Sequence, residues 1–143
     1  MKSILIAACA LLMSAPALAQ DPPEFAATDA RLKACVARDS SNMHIMACNS
    51  VAQAFADARL NSVYQAWTEA LKHPSPDDAK DDTEILKRLI AAERVWIDFR
   101  DKDCSLRSTS MLGGTGESGA YGDCLYAMTK ARVKALEETR SAR

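Results

Sequence analysis

Helix breakers are scarce in this chain and confined to a few places. Its five glycines all fall between residues 113 and 122, its five prolines stand at 16, 22, 23, 74 and 76, and residues 43–72 contain neither. No strand-period alternation and no internal repeat is visible, which excludes sandwiches, barrels and solenoids. Neither charge sign dominates: the formal net charge is −1, which argues against nucleic acid as a main partner. Histidine is limited to His44 and His73, so little is on offer for general acid–base work. Long apolar runs are also missing. The longest, Ile4–Met13, is about half of the roughly 20 residues that a spanning helix needs.

That run is informative in another way. Lys2 precedes it, and Pro16 and the triplet Ala17, Leu18, Ala19 follow it; a charged start, an apolar core and an A-x-A site make a cleavable secretory signal over residues 1–19. Cys9 lies inside the apolar core and is read as part of the signal rather than a lipidation site. Cleavage after Ala19 predicts a periplasmic or secreted protein with no membrane span, and loss of Lys2 moves the net charge from −1 to −2.

Residues 20–28 carry Pro22 and Pro23 and no periodic pattern, and are expected to be a flexible arm. A single helical domain is expected over 29–143, with a short helix from Asp29 to about Arg38. The polar group Asp39, Ser40, Ser41, Asn42 ends that helix and offers capping oxygens to the next. From about Met43 to Lys72, Val51, Phe55, Leu60, Tyr64, Trp67 and Leu71 recur at helical spacing. This helix is about 45 Å long and needs a partner of similar reach. His73, Pro74 and Pro76 stop it, and the aspartates at 77, 78, 81 and 82 read as a solvated linker leading into a helix N-terminus. Thr83 to about Cys104 forms the third helix, with Leu86, Leu89, Ile90, Trp96, Ile97 and Phe99 as its apolar positions. Ser105–Gly122 reads as a loop, after which Asp123 caps a last helix bearing Leu125, Met128, Val133 and Leu136. The fold class is all-α: a small disulfide-stapled bundle of about four helices built on a long antiparallel pair, helices two and three.

The cleaved chain keeps four cysteines, Cys35, Cys48, Cys104 and Cys124, an even number suited to disulfides in an oxidising compartment. Three pairings are possible. Local pairing, Cys35 with Cys48 and Cys104 with Cys124, is favoured: the first forces a reversal at the polar residues 39–42, and the second closes the glycine-rich loop. His44 and Cys48 share a helix face, but two ligands do not make a zinc site, and neither metal nor cofactor is expected.

Catalytic motifs fail on inspection. Gly116, Glu117, Ser118 and Gly119 approach the nucleophile elbow G-x-S-x-G, but Ala120 takes the last position, no strand precedes, and both histidines come before the serine. The phosphate-loop ending is absent as well. Trp67 and Trp96 sit at helical spacing and read as core. No enzyme is expected.

The order Cys35, Met46–Cys48, Asp57, Leu60, Asn61, Tyr64, Trp96, Phe99, Arg100, Asp101, Cys104, Gly113, Gly114, Thr115, Cys124, Thr129, Arg132, Leu136 resembles the LprI-type lysozyme inhibitor family of small secreted helical domains. The resemblance implies a periplasmic or secreted binding protein that, like the name-giving member, blocks a lysozyme. This chain departs from that member's lipoprotein form by its ordinary cleavable signal. The expected contact is the glycine-rich loop at Gly113, Gly114, Thr115, Gly116, Glu117 and Ser118, where glycines permit close backbone approach and a staple reduces the entropy lost on binding. Glu117 would face the enzyme's cationic rim or catalytic carboxyl region. The alternative is a periplasmic structural or interaction module that docks to another envelope protein.

Overall fold

The computed structural model describes residues 22–143, so the expected signal peptide and its cleavage site lie outside the described residues. Four α-helices follow one another: α1 (Pro23–Val36), α2 (Asn42–Lys72), α3 (Ala79–Ser108) and α4 (Glu117–Ser141), with one 3₁₀ turn at Thr109–Met111. The all-α class and both local disulfides are as the sequence indicates. Cys35 and Cys48 have Cα atoms 5.9 Å apart, and Cys104 and Cys124 5.5 Å.

The directions of the helices follow from their cross-links. Asn42 meets Thr115, Asn49 meets Gly119 and Arg59 meets Glu137, so α2 and α4 run parallel. Cys104 joins Cys124, Arg132 holds Glu93 and Arg143 reaches Asp82, so α3 runs antiparallel to α4. The Cys35–Cys48 bond and the Arg59–Glu24 ion pair set α1 antiparallel to α2. The expected antiparallel course of α2 and α3 is present, yet the most extensive packing is α2 on α4. The inward positions of α2 explain this. Ala52, Ala56, Leu60, Val63, Trp67 and Leu71 are buried, and the alanines at the stapled end let a neighbour approach closely. Glycines on α4 answer them. A Cβ on Gly122 would stand 3.3 Å from the Cβ of Asn49, and one on Gly119 3.5 Å from Ile45.

Several boundaries differ from the sequence reading. Residues 23–28, expected to be a flexible arm, are the first turns of α1. Pro23 stands at the first helical position, where its missing N–H costs nothing. Phe25 is fully buried, edge-on to Phe55 at 5.5 Å and 6.3 Å from Tyr126. The domain therefore begins before Asp29. The loop expected at Ser105–Gly122 is shorter: α3 runs on to Ser108 and α4 starts at Glu117, so Gly119, Gly122 and Asp123 are helical and Asp123 is no cap. Val51, Ile97 and Phe99, expected as apolar core positions, face solvent to a large degree, and Phe55 is partly exposed beside Phe25.

Candidate functional site

Both disulfides sit at the same pole of the bundle, where the C-termini of α1 and α3 meet the N-termini of α2 and α4. Each closes a loop of 13 or 20 residues, which in the chain-entropy account stabilises by about 3 kcal/mol. Between the staples lies the tight connection of residues 112–116. Gly113 has φ of 73°, a left-handed conformation open to glycine. Its N–H donates to the Glu117 carboxylate at 3.1 Å, and Gly114 N–H donates to Met111 O at 2.9 Å. Thr115 is tied to Asn42 through its hydroxyl. The connection is thus pinned by hydrogen bonds to both neighbouring helices.

Beside it opens a cleft of about 740 Å³ between α1, the start of α2 and the start of α4. Leu32, Val36, Ile45, Met111 and Ala120 give it apolar walls, and Asp29, Lys33 and Asp123 stand among its lining residues. Asn49, buried, donates from its amide to Gly119 O at 2.9 Å. Of the six residues expected to make a partner contact, Gly114, Thr115 and Gly116 line this cleft. Gly113 forms the turn, Glu117 is engaged with it, and Ser118 is exposed on the first turn of α4.

Apart from Met46, the apolar side chains at this pole belong to no sequence motif. Met43 and Met46 on α2, Leu106 at the end of α3, and Met111 and Leu112 in the connection are all exposed, Met43 and Leu112 to more than 70%. Met111 lies against Gly116, and Asn42 next to Met43 lies against Thr115 and Gly116, so these segments meet. Methionines gathered on an exposed surface are adaptable contact groups. Their spacing alone looks like ordinary helix filling, and only the meeting of α2 with the connection brings them to one pole.

Asp29 is the best-anchored charge on the cleft. Burial pushes its carboxyl up, but hydrogen bonds from Tyr126 Oη at 2.6 Å and Lys130 Nζ at 3.0 Å outweigh this and hold it below the usual carboxylate range. Both histidines are occupied locally: His44 Nε2 contacts Cys35 O and His73 Nε2 contacts Glu69, each at 2.9 Å. His44 also comes together with the sulfurs of Cys35 and Cys48 within 4.8 Å, a grouping that spacing alone did not show. The two sulfurs are bonded to each other, so neither is a free thiolate ligand.

A second assembly occupies the middle of the bundle. The Arg100 and Arg132 guanidiniums lie over Trp96 at 5.3 and 5.6 Å. Arg100 bonds Asp57, Asp101 and the Thr129 hydroxyl, while Arg132 holds the buried Glu93. Asp57, Trp96, Arg100, Asp101, Thr129 and Arg132 are residues of the resemblance noted above. Here they cross-link three helices, whereas Cys35, Cys48, Cys104, Cys124 and Gly113–Thr115 build the stapled pole.

Comparison with known families matches residues 33–136 to the family described as Lysozyme inhibitor LprI. The chain belongs to the LprI family. The matched span runs from the end of α1 through most of α4 and takes in both staples, the turn and the arginine network. An uncharacterized protein of Rhizobium meliloti (strain 1021) is 30% identical to this LprI-family chain over 131 residues, covering 90% of this chain and 87% of that protein. The uncharacterized protein YecT of Escherichia coli (strain K12) is 31% identical over 91 residues, covering 60% of this chain and 56% of YecT. No solved structure matches. Among the described residues no helix is long and apolar enough to cross a membrane, and two disulfides fit an extracytoplasmic setting.

Proposed function

We propose that this protein binds and blocks a lysozyme-type muramidase in the periplasm or outside the cell, after cleavage following Ala19. The observation that carries the reading is the stapled pole. An apolar cleft and the exposed Met43, Met46, Met111 and Leu112 stand at this pole, whose helices are joined by two disulfides and whose turn is held by the Asn42–Thr115 and Gly113–Glu117 bonds. A patch of that kind marks a contact surface, and rigid mounting limits what is lost on association. A muramidase works with a pair of carboxyl groups in a cleft. A projecting turn that carries little side-chain bulk at Gly113, Gly114 and Gly116 is suited to enter such a cleft and exclude the glycan. The role is binding rather than catalysis. The test is a turbidity assay of cell-wall lysis with purified protein at rising molar ratio. Stoichiometric loss of lysis is expected, and unchanged lysis at large excess excludes inhibition of that enzyme.

A second reading, docking to another envelope protein through a helical face, is favoured by one observation. Val95, Phe99 and Leu106 on α3 are each at least half exposed, and at 100° per residue they fall within about 40° of one another. Recovery of an endogenous envelope partner, lost in Phe99→Glu, without any muramidase would favour this reading over inhibition.

A further inference from the structure

At the end of the bundle opposite the staples, a crevice of about 340 Å³ opens between α3 and the last turns of α4. Its floor is made by Trp67, Leu89 and Leu136, all buried. Half-buried Ile85 and exposed Ala92 form the wall beside them. Among the described residues, Trp67 Nε1 is the one buried side-chain nitrogen or oxygen without a hydrogen-bond partner, and Trp67 is only 4% exposed. A buried donor left unpaired is costly. Arg88 stands at the mouth of the crevice. Its ion pair with Glu84, at 2.9 Å, is an exposed pair on one helix, worth little and readily exchanged. The other arginine on the crevice, Arg132, is already committed to Glu93 and to the face of Trp96.

We propose that this crevice is a binding site for a medium-chain carboxylate, an apolar chain ending in an anionic acceptor. The volume matches about eleven water-sized units at roughly 30 Å³ each, the size class of a ten-carbon chain. The apolar floor and wall, Trp67 among them, take the chain, and Arg88 supplies the charge. The site is remote from the stapled pole and does not depend on the inhibitory reading.

Decanoate, decanol and acetate are the probes, titrated into the full oxidised chain labelled with ¹⁵N. The two tryptophan indole N–H resonances are assigned by comparison with Trp96→Phe. A saturable shift of the Trp67 resonance by decanoate, with one equivalent bound and below the concentration at which decanoate forms micelles, is expected. Acetate should give none. Arg88→Ala should weaken decanoate at least five-fold and leave decanol unchanged. Ala92→Trp, a substitution at an exposed position, should fill the crevice and abolish the shift while helicity by circular dichroism is retained. Three results overturn the proposal: no saturable shift of Trp67, decanol bound as tightly as decanoate, or Ala92→Trp titrating like the parent chain.

Discussion

Replacing Arg132 by Met probes the account at its most constrained charge. Glu93 has 8% of its side chain exposed and Arg132 21%, and the arginine Nε donates to Glu93 Oε1 at 2.8 Å. Removing the guanidinium strands a carboxylate between α3 and α4, where water reaches little of it. Breaking a buried pair from one side costs about 3–5 kcal/mol, because the partner is left charged and unpaired. The contact with Trp96 adds about 0.5–1 kcal/mol. A loss near 4 kcal/mol is a large share of the roughly 5–15 kcal/mol that holds a domain of this size together. The same physics says that the pair itself is worth little against apolar packing. The double variant Glu93→Met with Arg132→Met should therefore recover most of the loss and lie within about 1 kcal/mol of the parent. Urea unfolding followed by circular dichroism, with disulfides oxidised, measures both. A single-variant cost under 1 kcal/mol, or a double variant no more stable than the single, would refute the reasoning.

Phe25→Ala should cost about 3–5 kcal/mol in the same unfolding assay, as for a large ring removed from a closed core; a cost near zero would restore residues 23–28 to the status of an arm. Gly113→Ala should cost about 1–2 kcal/mol through its left-handed backbone alone, since a methyl there meets nothing within 4 Å; a lower melting temperature with unchanged helicity is the expected signature. Acid should loosen α1 first. Bonding to its own backbone N–H outweighs burial and, with Arg59, holds Glu24 below its ordinary value, and Asp29 is likewise held down. These contributions are complete above the unfolded values near pH 4 and are lost as the pH falls through the lower folded values. Hydrogen-exchange protection in α1 should drop on acidification before that of α3, and Asp29→Asn should flatten the dependence.

What the sequence made legible, and what it hid, follows from where the physics is local. The long uninterrupted stretch to Lys72 found its limits within a residue, because propensity and the Pro74 stop act within the chain. The cysteine pairing was readable because short loops and a required reversal favour it. The start of α1 is hidden because Pro22 and Pro23 look like breakers, whereas proline at the first position of a helix is an initiator. Gly119 and Gly122 look like loop residues for a similar reason. They are glycines because α4 presses on Asn49 and Ile45, a constraint set by a helix some 70 residues away in sequence. Val51, Phe55 and Phe99 fit a helical stripe, but the true inward face of α2 passes through Ala52 and Ala56, whose small size gives no hydrophobic signal. The methionine-rich pole was invisible for want of any local mark. Met43 and Met111 come to the same pole only because α2 begins, and the connection before α4 lies, at one end of the bundle.

The most direct test of the central claim is an inhibition titration against a muramidase with charge placed on the stapled pole. Met111→Glu with Leu112→Glu alters two exposed side chains and leaves the staples and the core intact, and Ala58→Glu on an exposed position of α2 serves as the control. The account predicts that the pole variant loses at least ten-fold in potency while the control inhibits like the parent protein. Equal inhibition by all three proteins would contradict it.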